Sequence, residues 1–179
     1  MGIGIAKILT SIHGKLVGLG SGKQLICPGG VTPGETSIVD VTASTITIDP
    51  GKHAGKLLTL NRAAGIAVTL PAAEGSGHVY EFIIGTTVTS NSTTIKVANA
   101  SDVMKGFVTQ ANDAGATANT YETASTDDTI TLNGTTTGGI AGDRFWLRDV
   151  KLGGTTPVWL LEGAISSTGT EETPLSATV

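Results

Sequence analysis

From Thr36 onward the apolar positions recur in short alternating runs, the period-two pattern of strands with one face buried. Ile38, Val39 and Val41 open the series, and Thr45-Ile46-Thr47-Ile48-Asp49 alternates strictly. Pro50-Gly51 then turns the chain into Lys56-Leu57-Leu58-Thr59-Leu60, and Ile66-Ala67-Val68-Thr69-Leu70 is stopped by Pro71. Further runs cover His78–Ile84, Thr93–Val97, Lys105–Val108, Thr129–Asn133, Arg144–Val150 and Val158–Gly163. Short strands with turn signals every eight to twelve residues predict an all-β fold, an antiparallel β-sandwich, barrel or jelly-roll-like body. On those strands Tyr80 and Phe82 share one face, while Phe145 and Trp146 point to opposite faces.

The first 35 residues follow a different pattern. Ile5, Ile8, Leu9, Ile12, Leu16 and Leu19 fall at helical spacing. Gly2, Gly4, Gly14, Gly18, Gly20 and Gly22 interrupt them, each weakening a helix by roughly 1 kcal/mol relative to Ala. An extended or partly helical arm that orders against another surface fits this better than a stable free helix. Cys27-Pro28-Gly29-Gly30 and Thr32-Pro33-Gly34 read as a connector. The expected organisation is therefore an N-terminal arm and connector (1–35), a β-rich body (36–165) and a polar C-terminal tail (166–179). One echo, Thr45–Asp49 against Thr129–Asn133, each before a Gly-bearing turn, reads as hairpin grammar, since a solenoid needs three or more stacked units.

Composition sharpens the fold class and narrows the partners. The 179 residues suffice for one domain. Gly (25) and Thr (29) dominate, suiting turns and strands respectively. Charged residues reach 15%, below the roughly 25% of soluble domains, and mean hydropathy is +0.19. An apolar-leaning, low-charge chain suggests a surface meant to be covered by a partner. No apolar run approaches the ~20 residues of a membrane-spanning helix. The net charge of −4 argues against a nucleic-acid partner. The charge is also polarised: residues 1–34 carry Lys7, Lys15 and Lys23 and no acid, whereas the remainder is strongly acidic.

Candidate chemistry is sparse. Cys27 is the only cysteine, so neither an intrachain disulfide nor a cysteine metal cage is expected. His13, His53 and His78 lack the paired spacing of a metal site, and no cofactor is expected. Asp127-Asp128 and Glu171-Glu172 are acidic pairs that the sequence cannot set across a substrate. Gly18–Lys23 imitates a phosphate loop but fails on spacing, on Gln24 where a Ser or Thr should hold magnesium, and on context. Ser76 lies between glycines without the strand-turn-helix setting of a nucleophile elbow. The glycosylation-like triplets at Asn91, Asn99 and Asn133 read as chance in so Thr-rich a chain without a secretion signal. An enzyme is not expected. Trp146 and Trp159 read as core residues, or more sharply as a carbohydrate platform.

Three stretches carry a resemblance. Val68-Thr69-Leu70-Pro71-Ala72-Ala73-Glu74-Gly75-Ser76-Gly77 leads into Tyr80-Glu81-Phe82, and Thr94-Ile95-Lys96-Val97 precedes Ala100-Ser101-Asp102-Val103-Met104-Lys105-Gly106. The run Asp128–Asp143, with its Thr- and Gly-rich centre, is the third. Together they resemble the small capsid decoration, or cement, proteins of tailed bacteriophages, over about 60% of the chain from Leu58 to Gly163. The resemblance implies a β-sandwich or β-tulip body, commonly a homotrimer, on the outside of the virion head where major capsid subunits meet. It implies a structural protein assembled in the host cytoplasm, with no cofactor, nucleic acid or membrane partner.

On that reading the arm contacts the capsid through Ile3, Ile5, Ile8, Leu9 and Ile12, with Lys7 and Lys15 meeting acidic capsid residues. The alternative is a tail- or fibre-associated or glycan-binding adhesin module of a phage virion, drawn from the same β vocabulary.

Overall fold

The computed structural model describes residues 37–113, 115 and 117–179. The stretch Thr36–Val179 forms one compact unit. In chain order its strands are β1 (Ile38–Val41), β2 (Thr45–Thr47), β3 (Leu57–Leu60), β4 (Ala67–Thr69), β5 (Val79–Ile84), β6 (Thr93–Lys96), β7 (Met104–Ala111), β8 (Ala118–Glu122), β9 (Thr129–Leu132), β10 (Arg144–Leu152), β11 (Thr156–Ser166) and β12 (Leu175–Ser176). A single helical turn, α1 (Pro50–His53), interrupts them. Pro50 stands where its missing N–H costs nothing. The Asp49 carboxylate accepts from the Gly51 N–H at 2.9 Å, and the Asp49 N–H donates to His53 Nδ1 at 2.8 Å. This reciprocal cap explains why Pro50-Gly51 makes a helical turn rather than a simple reversal.

The strands form two sheets, one of seven in the order β1-β3-β5-β10-β11-β7-β8 and one of five in the order β12-β9-β6-β4-β2. Leu58, Tyr80, Phe82, Phe145, Trp159 and Leu161 of the larger sheet share one core with Val68, Ile95, Ile130 and Leu132 of the smaller. Each fully buried side chain of this size contributes about 1.5–3 kcal/mol. Phe145 is fully buried and Trp146 is half-buried on the opposite face, as the alternation requires. The fold is all-β and sandwich-like.

It is not purely antiparallel. The pairings β1–β3, β3–β5, β2–β4, β4–β6 and β7–β11 are parallel. Through its first half the chain alternates between the sheets: β1, β3 and β5 stack in the larger one, and β2, β4 and β6 in the smaller. Each sheet-to-sheet passage adds one parallel strand, so three rungs of a two-sided β-solenoid are wound before the topology changes. The hairpin reading of Thr45–Asp49 and Thr129–Asn133 is thereby corrected, because β2 and β3, and likewise β9 and β10, lie in different sheets. The rungs lengthen as they go: Ile38 aligns with Leu57 and Leu57 with Glu81, while Thr45 aligns with Ala67 and Ala67 with Thr94. The hairpin β10–β11 then inserts between β5 and β7, antiparallel to β5 and parallel to β7.

The polar stretch after 165, set apart in the sequence as a tail, is stitched to this body. β11 runs to Ser166, β12 pairs with β9, and Leu175 is buried in the common core. Burial of Leu175 acts there together with the Asp128 carboxylate, which accepts from the Thr178 and Val179 N–H groups. Leu175→Ala is expected to cost about 2 kcal/mol, measured by urea unfolding. A change within ~0.5 kcal/mol, the usual range for a surface substitution, would restore the tail reading.

Candidate functional site

The fold's most unusual chemistry is a set of buried carboxylates satisfied by backbone N–H groups. Asp149 continues the inward face of β10 after Phe145 and Leu147, and is 2% exposed. Its Oδ1 accepts from the N–H of Gly75 at 2.7 Å and of Glu74 at 3.1 Å. Its Oδ2 accepts from the Ser76 N–H at 2.8 Å and the Ser76 hydroxyl at 2.6 Å. Burial alone would push the Asp149 carboxyl up, but these donors outweigh it and hold the group below the ordinary carboxylate range. The result pins the β4–β5 crossover, the segment Pro71–Gly77, across one end of the sandwich.

Asp143, at the start of β10, does the same at the other end. It accepts from the N–H groups of Gly139, Ile140 and Ser166 and from the Ser166 hydroxyl. Here burial prevails over the hydrogen bonds and the carboxyl is pushed up. Asp102 holds the Ala73 N–H, so it supports the same crossover that Asp149 pins. Asp127 accepts from Ala124, and Asp128 from the N–H groups of Thr178 and Val179. Asn133 Oδ1 accepts from the N–H groups of Thr135, Thr136 and Thr137.

Most residues singled out in the sequence for possible chemistry turn out to be fasteners. The pair Asp127-Asp128 is buried among backbone donors. Glu171 accepts from the Asp113 N–H and the Ser167 hydroxyl, and Glu172 accepts from the Thr136 hydroxyl. Asn99 and Asn133 cap turns through their own side-chain oxygens. The Ser76 hydroxyl donates to Asp149 Oδ2, and both oxygens of that carboxylate already accept from backbone N–H groups of the crossover. Among the described residues, no group of three His, Cys, Asp or Glu side chains stands close enough to hold a metal ion. No helix among them is long and apolar enough to cross a membrane. The arm residues Ile3, Ile5, Lys7, Ile8, Leu9, Ile12 and Lys15, with His13, Cys27 and the Gly18–Lys23 run, lie outside the described residues.

Two depressions stand out among the described residues. The first, of about 240 Å³, lies on the outer face of the seven-stranded sheet among Val79, Trp146, Arg148, Leu160 and Glu162. Trp146 is flanked in register by Glu81 and Glu162, and the Arg144 guanidinium sits 5.1 Å from the centre of its ring. Phe107, on the same outer face, is 47% exposed. The second, of about 230 Å³, opens beside the Asp149 staple and is lined by Tyr80, Trp159, Pro50 and Pro71 among others.

Trp159 is 0% exposed, so its ring cannot serve as a stacking platform for a sugar; it packs at 5.7 Å and 52° against Tyr80. The sequence signal for the Asp149 staple was available, since a carboxylate at the inward position of an alternating strand needs donors and a Gly-rich loop supplies N–H groups. No family model, curated protein or solved structure matches the chain.

Proposed function

We propose that this protein is a structural virion component, a capsid decoration protein that binds the outside of a tailed-phage head at contacts between major capsid subunits and stabilises it. The observation that carries the reading is where the three resembling stretches fall. Pro71–Gly77 is the crossover pinned by Asp149, Ala100–Gly106 includes the Asp102 fastener, and Asp128–Asp143 runs between two buried carboxylates with Asn133 within it. The shared vocabulary is thus that of a rigid, loop-stapled scaffold. A scaffold of this kind suits a protein whose work is to bind and hold. Apolar side chains left on the outer face of the larger sheet, Phe107 and the half-buried Trp146, further support a covered surface.

The mechanism is mass action: a protein with higher affinity for assembled shell than for separate subunits stabilises the shell. The basic arm supplies the contact through Ile3, Ile5, Ile8, Leu9 and Ile12, with Lys7 and Lys15 facing acidic capsid residues. Three arms on a homotrimer multiply weak contacts through effective concentration.

The test mixes the purified protein with undecorated heads and follows co-sedimentation and head melting. Full-length protein is expected to bind and raise the temperature of head disruption. Deleting residues 2–20 is expected to abolish binding while the β body keeps its circular dichroism and melting temperature. Unchanged binding by the truncated protein would remove the arm from the mechanism, and no binding by the intact protein would remove the capsid reading. Light scattering separates a trimer, near three times 18.0 kDa, from other states.

A further inference from the structure

The depression on the outer face of the seven-stranded sheet is built from two neighbouring rows of the register. One row sets Glu81, Trp146 and Glu162 side by side, and the next sets Val79, Arg148 and Leu160. Every residue lining the hollow keeps contact with solvent: Arg148 and Glu162 are exposed, and Val79, Trp146 and Leu160 are half-buried. Arg144 precedes Trp146 on β10 and Arg148 follows it, so Arg144 backs the indole on the side away from Arg148, its guanidinium 5.1 Å from the ring centre. Arg148 stands one register step from both Glu81 and Glu162, yet it pairs with neither. The ion pair among the described residues lies elsewhere, between Lys52 and Asp49. The hydrogen-bonding heads of Arg148 and Glu162 are therefore open beside a tryptophan in a concave site.

We propose that this hollow binds a neutral saccharide, one sugar ring packed against Trp146 with its hydroxyls bonded to Arg148 and Glu162. The ligand class follows from the walls. Arg144 and Arg148 balance Glu81 and Glu162 in charge, so no net field draws in an anion or a cation. A purely apolar ligand strips water from Arg148 and Glu162 and returns no hydrogen bond. A face of a second protein copy has to match both charge signs at fixed positions or bury them unpaired, which is costly. A hydroxyl meets both signs with one group, donating to the carboxylate and accepting from the guanidinium. The C–H face of the sugar ring packs on the indole, and Val79 and Leu160 supply further apolar wall. The volume, about 240 Å³, is the liquid share of about eight waters, enough for one hexose. The site is independent of the capsid reading, which assigns the capsid contact to the arm.

The chain has two tryptophans, hence two indole N–H resonances, assigned by Trp146→Phe. The experiment titrates the ¹⁵N-labelled full chain with D-glucose, D-galactose, D-mannose and N-acetyl-D-glucosamine, each to about 100 mM, a range that captures millimolar affinity. A saturable shift of the Trp146 signal with at least one sugar is the expected result, with Trp159, which is 0% exposed, serving as the internal control. Trp146→Ala is expected to weaken binding at least tenfold, read from backbone amide shifts of β10 and β11. Arg148→Ala and Glu162→Ala are each expected to weaken it at least fivefold, read from the Trp146 signal. These two replace exposed side chains, so their melting temperatures are expected to stay within about 2 °C of the parent.

Absence of a saturable Trp146 shift with all four sugars overturns the site. So does an equal response at Trp159, or a stronger response to sodium sulfate or arginine hydrochloride than to any sugar. Unchanged sugar affinity in both Arg148→Ala and Glu162→Ala overturns it too. A Trp146 signal that moves with protein concentration and not with sugar would give the face to a second copy instead. Head binding is read in a separate assay, so failure there leaves this result standing, and the reverse holds.

Discussion

Asp149→Ala is expected to destabilise the body by about 3–5 kcal/mol, a large fraction of the 5–15 kcal/mol that holds a typical domain together. The substitution removes an acceptor that serves the N–H groups of Glu74, Gly75 and Ser76 and the Ser76 hydroxyl. Hydrogen bonds to a charged acceptor are each worth about 1.5–3 kcal/mol, and rehydration of the partly open crossover returns some of that loss. Asp149→Asn is expected to cost somewhat less, because one oxygen remains while the new amide NH₂ faces N–H donors.

The same staple carries a pH dependence whose sign follows from its lowered pKa. A carboxylate held below its ordinary value contributes stability that is fully present above that value and lost as pH falls through the folded one. Asp143 acts oppositely: its raised carboxyl contributes stability that is present below the ordinary value and lost as pH rises through the folded one. Subtracting Asp149→Asn from the parent cancels Asp143, provided the two sites are independent. The difference in urea stability is expected to be constant from neutral pH to about pH 5 and to shrink below pH 4. A loss under about 1 kcal/mol for Asp149→Ala, within the reach of a single ordinary hydrogen bond, would show that the crossover does not depend on the staple.

Gly106→Ala is expected to cost at least about 3 kcal/mol, from two causes that add. Gly106 has φ 144, a conformation that an L side chain rarely adopts. A Cβ there would fall on the carbonyl oxygen of Leu161, its register partner on β11. That atom belongs to the backbone of a central strand and cannot yield without disturbing the β7–β11 ladder. The Gly106 N–H is also tied to the Thr123 hydroxyl, and its carbonyl accepts from the Thr123 N–H, so the β7–β8 edge is seated on the same residue. Gly55→Ala separates strain from collision: Gly55 has φ 73 but nothing lies within 4 Å of the added carbon. Its expected cost is about 1–2 kcal/mol. Equal losses at the two positions, read from urea midpoints, would mean that the clash with Leu161 relaxes freely.

Much of the strand content was legible because alternation is a local property of the chain. The runs around Ile46, Leu58, Val68, Phe82, Ile95, Ile130, Leu147 and Leu161 all became strands with those side chains inward or partly so. β8 escaped detection because Ala118-Asn119-Thr120-Tyr121-Glu122 is an edge strand with little buried surface, leaving no alternation to read. β12 is two residues long, below what any periodicity can show. Of the candidate site, Asp149 went unread, although the series Phe145, Leu147, Asp149 on one face of β10 carried a signal for it. The pairing of Tyr80 with Trp159 carried none, since their strands, β5 and β11, are separated in the sheet by β10 and in the chain by half its length.

Composition and periodicity alone determined that this chain is all-β, where most of its strands lie, which faces they bury, and that a basic, glycine-broken segment precedes an acidic body. Those properties are set by each residue and its near neighbours. The tertiary structure alone decided that the first six strands wind as three parallel rungs, that β10 and β11 wedge beside them, and that aspartates act as loop fasteners. Pairing partners are chosen by contacts between residues far apart in the chain, and rungs of unequal length leave no repeat to announce them. A carboxylate likewise shows its role only when folding brings backbone N–H groups to it and closes off the water that would otherwise satisfy it.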